Sequence, residues 1–327
     1  MSIAAQPITE SSTTPQVTTN TLDGIILYRD DSRPITVTEK QYRDTNRIED
    51  ADMLKVVSSE PGTTWLVGPN NNDSTAQKDI QEVARTSSEA SSEGTTPVYQ
   101  LYAIPNRDAC AEYSKGGFNS TDEYMNWIDR ILSASSTEAI FLVEADAIAN
   151  IAAKDCLTQA QTQEREQLLK LTVEKLRQSS KAAAIYIDAA HSEWFPNTAD
   201  LVGPLSRSGI ESADGIFVNT SFFVKTEDIS NWSKKLLDEL GNNKKVIIDT
   251  SRNGNGVAPA TITGDARWCN PEGRAIGLLP TTQTGIDHVD AFLWIKNIGE
   301  SDGSCNGNPA AGIFVPDLAL KLVQNRQ

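Results

Sequence analysis

Five aspartates follow apolar runs of the sequence, where carboxyl groups could carry out acid–base chemistry. Asp108 lies four residues past the run Val98–Ile104, and Asp146 lies two residues past Ala139–Glu144. The other three are Asp188, Asp249 and Asp302. If the runs are parallel strands of a barrel, their carboxyl ends meet at one rim, where active sites are built. A single aspartate in such a position is commonly a helix cap, but five together favour a catalytic site.

Eight short apolar runs, rich in Ile, Val, Phe and Tyr, predict strands that are buried on both faces. They are Ile25–Tyr28, Thr64–Val67, Val98–Ile104, Ala139–Glu144, Ala183–Asp188, Gly215–Asn219, Lys245–Asp249 and Ala291–Ile295. Segments with helical periodicity lie between them, most clearly at Thr121–Ala134, Ala160–Gln178 and Glu227–Leu240, with a short closing helix around Asp317–Val323. Thr121 and Thr226 are expected to cap two of these helices.

The alternation of strands and helices predicts the α/β class with a mostly parallel sheet. Eight candidate strands favour closure into a barrel, and an open doubly wound sheet is the alternative. The sequence contains neither a Gly-x-Gly-x-x-Gly motif after an early strand nor a Gly-x-x-x-x-Gly-Lys-Ser/Thr motif. Nucleotide binding therefore has no support.

Aromatic residues share the segments that carry the aspartates. Trp194 lies six residues past Asp188 in a loop-like stretch, and Trp268 has polar, Pro and Gly neighbours. Flat rings beside carboxylates suit sugars, because C–H faces stack on the rings while hydroxyl groups bond to polar atoms. Core packing is the alternative, and it applies most to Trp65.

The composition predicts a globular protein and excludes several partners. The 327 residues are 39% hydrophobic, with 44 acidic and 29 basic side chains and a net charge of −15. Such a surface repels phosphate backbones, so we expect no nucleic-acid partner. No stretch of about 18 apolar residues occurs, so we expect no membrane span. The sequence has no Gly-x-Ser-x-Gly nucleophile motif, which leaves paired carboxylates as the chemistry.

The four cysteines and two histidines do not predict a metal site. Cys110, Cys156, Cys269 and Cys305 match no zinc-binding spacing, and the histidines, at 191 and 288, are far apart. Four cysteines allow three pairings, and spacing alone does not choose among them or exclude free thiols.

The chain is predicted to consist of a tail or linker at residues 1–21 and one catalytic domain at 22–327. Residues 9–21 are rich in Ser and Thr and have no apolar periodicity. The first residues have neither a basic segment nor an apolar segment typical of a secretion signal. Either the protein stays inside the cell, or the sequence is that of a mature secreted form.

Six motifs, in order, resemble family 6 of the glycoside hydrolases, the cellulases, and the resemblance runs from about Leu22 to the C-terminus. They are Ile104-Pro-Asn-Arg-Asp108, Val143-Glu-Ala-Asp-Ala-Ile-Ala-Asn150, Tyr186-Ile-Asp-Ala-Ala-His-Ser-Glu-Trp194, Ile248-Asp-Thr-Ser-Arg-Asn-Gly254, Trp268-Cys-Asn-Pro-Glu-Gly-Arg274 and Asp290-Ala-Phe-Leu-Trp-Ile-Lys-Asn-Ile-Gly-Glu-Ser-Asp-Gly303. The resemblance implies a distorted parallel β/α barrel of seven or eight strands with a cleft at the strand C-terminal rim. It also implies hydrolysis of β-1,4-glucan with inversion, without a cofactor or metal, by a secreted monomer.

The resemblance assigns roles to individual residues. Asp146 matches the proton donor, and Asp302 the base, acting directly or through a water chain. Asp108 matches the aspartate that raises the donor's pKa, Ser114 the serine that holds the attacking water, and Tyr28 a tyrosine that crowds the sugar ring. The residues that match sugar-binding positions are Trp65, Asp188, His191, Asn219, Trp194, Trp268, Lys296 and Glu300.

The resemblance also implies that Cys110 pairs with Cys156 and that Cys269 pairs with Cys305, which indicates an oxidising compartment. The sequence departs from the family pattern in three places. Ala109 stands between Asp108 and the cysteine, the donor motif reads Glu-Ala-Asp instead of Glu-Pro-Asp, and Arg29-Asp-Asp replaces Val-Asp-Pro after Tyr28.

Two loops around the site are short: twelve residues separate Asp302 from Val315, and twelve separate Asp108 from Thr121. Short loops favour an open cleft and cleavage inside the glucan chain. An exo-acting cellobiohydrolase, a non-catalytic glucan-binding protein and a cytosolic barrel enzyme of different chemistry are the alternatives. The main hypothesis requires Asp146 and Asp302 to face each other across a sugar-sized gap, with neither locked in a permanent ion pair.

Overall fold

A computed structural model describes residues 20–69, 75–110, 113–153, 155–241 and 243–326. Most of the predicted tail at residues 1–21 therefore lies outside the described residues. Its last two residues, Asn20 and Thr21, belong to the folded domain, because both are hydrogen-bonded to Asp290. Asn20 Nδ2 also donates to the carbonyl oxygen of Thr282 at 2.6 Å.

The fold is a single parallel sheet of seven strands that are paired in sequence order, with helices along its outer face. The strands are β1 (Thr64–Leu66), β2 (Val98–Leu101), β3 (Ala139–Val143), β4 (Ala182–Asp188), β5 (Gly215–Val218), β6 (Lys245–Asp249) and β7 (Val289–Leu293). Their bounds lie within two residues of the predicted runs at most ends. This arrangement confirms the predicted α/β class and the distorted parallel barrel.

The helices fill the connections between strands. They are α1 (Pro34–Asp44), α2 (Ile48–Ser58), α3 (Thr75–Glu93), α4 (Thr121–Ala134), α5 (Ala147–Ala152), α6 (Gln159–Gln178), α7 (Ala199–Arg207), α8 (Thr226–Leu240) and α9 (Pro316–Gln324), with short 3₁₀ turns at Ile210–Ser212 and Gly264–Arg267. The four predicted helices correspond to α4, α6, α8 and α9. None of the helices in the described ranges combines the length and apolar character that crossing a membrane requires.

The predicted caps were wrong in detail. Ser120, one residue before Thr121, is the N-cap of α4, and its Oγ accepts the Glu123 N–H at 3.3 Å. Lys225 occupies the N-cap of α8 without a side-chain cap hydrogen bond, and Thr226 is the first helical residue. A Thr at a helix start does not say which side of the boundary it occupies, because Ser, Thr and acidic residues suit both the cap and the first turn.

The eighth predicted strand, Ile25–Tyr28, is also wrong. Only Leu27 forms a bridge with another segment, at Thr96, and the neighbouring Ile26 is 66% exposed. The run therefore lies at the margin of the domain and lacks the burial on both faces that its composition suggested.

Both faces of the sheet are buried, which explains the continuous apolar runs. In β3, Ile140 and Leu142 point into the barrel interior, while Phe141 and Val143 pack against the helix layer. The sheet ends at β1 and β7. Across the seam between these edges, Trp65 Nε1 donates to the carbonyl oxygen of Ile295 at 2.8 Å.

Candidate active site

The five aspartates singled out in the sequence lie at the C-terminal ends of strands or in the loops that follow them, and several residues of these loops have unusual backbone conformations. Asp108 and Asp146 have φ values of 57° and 64°, in the left-handed region that most residues avoid. Further non-glycine residues with positive φ in these loops are Glu144, Ala190, Asn219 and Ser221. Such conformations cost free energy and cluster at functional sites.

Asp146 occupies the turn between β3 and α5. It is the N-cap residue of α5, yet its side chain makes no cap hydrogen bond, so helix capping does not explain it. Its Oδ2 lies 3.5 Å from the Tyr102 hydroxyl, and its backbone N–H donates to Asp188 Oδ2 at 3.0 Å. Burial and, second, the nearby negative charge of Asp108 raise the pKa of Asp146 to about 7. This carboxyl can therefore keep its proton near neutral pH.

Asp108 lies beside Asp146 and organises the short loop that follows it. Its Oδ2 accepts the backbone N–H of Ser114 at 2.6 Å. Arg107 Nε donates to the Ser114 carbonyl oxygen at 2.7 Å, so the backbone of this residue is held from both sides. The Asp108 carboxylate and Ser114 are therefore neighbours, although Ala109 stands between Asp108 and the cysteine.

Asp302 has the opposite electrostatic environment. Its carboxylate lies 2.8 Å from Arg252 Nη1 and 3.3 Å from Lys296 Nζ, and its side chain is only 6% exposed. The backbone N–H of Asn270 donates to it at 2.9 Å. Burial alone would raise the pKa of Asp302, but the Arg252 and Lys296 charges and these hydrogen bonds together lower it. Asp302 is therefore held in a buried ion pair, so the requirement that neither carboxyl be locked in one fails for this residue, and its assignment as a direct base is not supported.

Two residues expected to bind sugar hydroxyls are buried, and their side chains bond to backbone groups. Asp188 is 1% exposed, and it accepts the backbone N–H groups of Asp146 and Ala190. Asn219 is fully buried, with its side chain bonded to the backbones of Val224 and Asp249. Their side chains position loops, and sequence reasoning could not foresee this burial.

Tyr28 does not lie against the aspartates. Its hydroxyl donates to Glu89 on α3, and burial raises the pKa of that hydroxyl. Tyr102 is in the place expected for Tyr28, one residue past β2 and facing Asp146. The sequence carried one signal for Tyr102, its position six residues before Asp108 at the end of a predicted strand.

A cavity of about 340 Å³ adjoins the aspartates, because Lys296, which pairs with Asp302, is part of its lining. Its lining includes Tyr28, Trp65, Lys296 and Glu300, whereas Asp146 and Asp302 do not line it. Trp65 packs edge-on against Tyr102, with ring centroids 5.3 Å apart. Burial raises the pKa of the Glu300 carboxyl. The cavity has the mixture of aromatic and polar groups that carbohydrate sites use.

His191 and Trp194 form a second aromatic group, after β4. His191 stacks on Phe222 with ring centroids 3.7 Å apart, and its Nδ1 accepts the backbone N–H of Trp194 at 3.2 Å. Burial lowers the pKa of His191 to about 3, so the ring is neutral. Trp194 lies partly exposed on Phe195, with ring centroids 5.6 Å apart. The third tryptophan, Trp268, is partly exposed on the loop after β6.

Both predicted disulfides are present. Cys110–Cys156 joins the Asp108 loop to the segment after α5, and Cys269–Cys305 joins the Trp268 loop to the Asp302 loop. Among the described residues, no group of three or more His, Cys, Asp or Glu side chains is placed to hold a metal ion.

Comparisons with known proteins agree with the motifs. The family model described as "Glycosyl hydrolases family 6" matches residues 25–326. "Endoglucanase A" of Cellulomonas fimi is 37% identical over 276 residues, which are 84% of this chain and 57% of that protein. "Endoglucanase 1" of Streptomyces sp. (strain KSM-9) is 36% identical over 268 residues, 81% of this chain and 70% of that protein. The chain thus spans little more than half of the first relative.

A solved structure shares the fold throughout. The endoglucanase Cel6 from Mycobacterium tuberculosis, in complex with methyl-cellobiosyl-4-deoxy-4-thio-β-D-cellobioside, superposes with a TM-score of 0.82 at 36% identity. The match covers 94% of this chain and 99% of that one.

The raised pKa of Asp146 predicts a stability effect that does not depend on activity. Between pH 4 and 7 the folded protein retains a proton that the unfolded chain loses, so wild-type stability falls over this range. Asp146→Asn is neutral throughout, so its free energy of unfolding should exceed that of the wild type increasingly from pH 5 to pH 8.5, by about 1–3 kcal/mol at the upper end. Urea unfolding at both pH values measures this difference.

Asp238→Asn is the matched control, because Asp238 is an exposed residue of α8 whose ion pair among the described residues is with Lys234. It should change stability by less than about 0.5 kcal/mol, equally at both pH values. A pH-independent difference between wild type and Asp146→Asn would contradict the raised pKa.

Proposed function

The chain belongs to glycosyl hydrolase family 6, and on this basis we propose that it hydrolyses β-1,4-glucosidic bonds within cellulose and related β-glucans, with inversion at the anomeric carbon. The observation that carries the proposal is the opposite environment of two rim carboxyls. Asp146 is poised to hold a proton, whereas Asp302 is kept ionised by two cations. Inverting hydrolysis requires one carboxyl that gives a proton and one carboxylate that accepts a proton.

Asp146 is the proposed general acid. Its pKa of about 7 keeps it protonated in weakly acidic and neutral solution, and it gives its proton to the glycosidic oxygen as the bond to the anomeric carbon breaks. Because the Asp146 side chain makes no cap hydrogen bond with α5, its carboxyl is available for this transfer. The Tyr102 hydroxyl, 3.5 Å away, fixes the direction of the carboxyl group.

Asp108 assists the acid in two ways. Its negative charge raises the pKa of Asp146, and its bond to the Ser114 N–H holds the loop on which Ser114 lies. Ser114 is the proposed residue that holds the attacking water, and the bond between its backbone N–H and Asp108 supports this role.

Asp302 is the proposed final proton acceptor, through water. A carboxylate held by Arg252 and Lys296 is a weak base, so direct abstraction of a proton from the nucleophile is unfavourable. In the proposed step, the water oxygen bonds to the anomeric carbon, its proton passes to a second water, and that water releases a proton to Asp302. Inverting enzymes place their carboxyls about 6.5–9.5 Å apart, which leaves room for water.

The substrate is proposed to lie along the rim. Trp65, Lys296 and Glu300 hold glucosyl units at the end with the cavity, and Trp194 and Trp268 provide further stacking surfaces. We place the catalytic domain at residues 20–327, two residues earlier than the sequence suggested, because Asn20 and Thr21 bond to Asp290. The two disulfides support action outside the cell, where oxidising conditions preserve them, and we propose a monomer.

Internal cleavage is proposed from the short loops and from the names of the relatives. Wild-type protein should lower the viscosity of carboxymethylcellulose rapidly while releasing few reducing ends, and Asp146→Ala should turn over about 10²–10⁴-fold more slowly on unactivated glucan. NMR of the first-formed product from cellotetraose should show the α-anomer. Asp238→Ala serves as the control that retains the wild-type rate.

Three results would count against this function: a β-anomer as first product, near-native turnover by Asp146→Ala, or many reducing ends with little loss of viscosity. The last would indicate exo action instead.

The pH dependence provides a separate prediction. Because Asp146 must be protonated to act, kcat/KM should fall as pH rises through about 7. Asp108→Asn removes a negative charge, lowers the Asp146 pKa, and should move this basic limb about one pH unit lower while also reducing the rate. Full pH profiles of both proteins on cellotetraose measure the shift. If the basic limb of the pH profile does not move in Asp108→Asn, then Asp108 does not raise the pKa of Asp146.

A further inference from the structure

Tyr113 connects loops that follow three different strands. It lies on the loop after β2, and its ring meets Trp268, on the loop after β6, edge-on with centroids 5.3 Å apart. Its hydroxyl donates to Asp265 Oδ2 in the same β6 loop. Its ring also lies against Gly303, on the loop after β7, so closely that a Cβ at position 303 would meet it at 2.5 Å.

These contacts join the two sides of the proposed catalytic cleft. Tyr113 directly precedes Ser114, whose N–H is bonded to Asp108, and Gly303 directly follows Asp302. The Tyr113 side chain is 36% exposed, so the connection lies on the solvent side of the aspartates. The short loops alone would leave this side open, and one tyrosine spans it.

The loops after β6 and β7, which Tyr113 contacts, are held by a salt bridge and a disulfide. Arg267 pairs with Glu193 at 2.5 Å, which fastens the segment around Asp265 to the loop after β4. The Cys269–Cys305 disulfide fixes the Trp268 loop to the loop that carries Gly303. On the loop after β2, the Tyr113 side chain makes the described contacts with the loops after β6 and β7, so replacing that residue removes these contacts while the salt bridge and the disulfide stay in place.

We propose that Tyr113 is a specificity-determining residue that favours glucan chain ends and short oligosaccharides over internal segments of a polymer. The proposal rests on the proposed glucanase function. An internal segment must enter the cleft sideways, which requires the Tyr113 contacts to break, so the internal cleavage proposed above proceeds in the molecules whose Tyr113 contacts are broken. A chain end can instead pass beneath the side chain.

The apparent affinity for a polymer is then reduced by the fraction of molecules with the contacts broken. Removing the contacts should lower KM for the polymer and leave KM for an oligosaccharide unchanged. A residue that only supported the Trp268 ring would affect both substrates in the same direction.

The test compares carboxymethylcellulose with cellotetraose in Tyr113→Ala and Tyr113→Phe. Tyr113→Ala should lower KM for carboxymethylcellulose several-fold, with kcat on cellotetraose within about twofold of wild type. Tyr113→Phe keeps the ring contacts and loses the bond to Asp265, so it should have a smaller effect, and Asp265→Ala should reproduce it. The loss of viscosity per reducing end should rise in the same order.

Tyr42→Ala is the control, because Tyr42 is a partly exposed tyrosine of α1 that packs on Arg47 and does not lie on the loops after β2, β6 or β7. It should leave the ratio of the two KM values unchanged. Thermal unfolding and a count of free thiols establish that each variant is folded with both disulfides intact.

An unchanged KM ratio in Tyr113→Ala, or a loss of activity on both substrates together, would overturn the proposal. If the wild type hydrolyses neither substrate, the glucanase function itself fails, and the wild-type assay alone reveals that.

Discussion

The site depends on buried carboxylates at the strand ends that accept backbone N–H groups from neighbouring loops. Asp188, at the end of β4, accepts the N–H of Asp146 and so fixes the proposed acid through its main chain. Glu144 accepts N–H groups of the β2 loop at 3.0–3.1 Å, and Asp249 accepts N–H groups from the loops after β5, β6 and β7. Because an unpaired buried carboxylate is costly, each of these bonds resists displacement of its loop.

This framework explains how loops with unfavourable backbone conformations stay in place. Asp146, with φ of 64°, is restrained by Asp188 below it and by Asn150, whose side-chain N–H donates to the Asp146 carbonyl oxygen at 2.6 Å. Asn150 also accepts the N–H of Cys110, so the Asp108 loop and the Asp146 turn share one support. The same residue type then acquires opposite properties: Asp146 has a carboxylate as its charged neighbour, and Asp302 has two cations.

Much of the fold could be predicted from the sequence, because parallel strands buried on both faces produce continuous apolar runs. The run Lys245–Asp249 matches β6 residue for residue, and Asp108, Asp146 and Asp302 were located by the ends of such runs. The run Ile25–Tyr28 was wrongly predicted to be a strand, because the composition of a run does not show whether both of its faces are buried. Long-range contacts were equally hidden: the pairing of Arg252 with Asp302 spans 50 residues, and no local pattern marks it. Tyr28 and Tyr102 likewise could be told apart only by three-dimensional position.

The central claim is that Asp146 retains its proton near neutral pH. The most direct test is a pH titration of its side-chain carboxyl carbon by ¹³C NMR in protein labelled at aspartate, with the signal assigned by its absence from Asp146→Asn. The account predicts a midpoint near pH 7 that moves lower in Asp108→Asn. A midpoint near 4, the ordinary value for an aspartate, would contradict it.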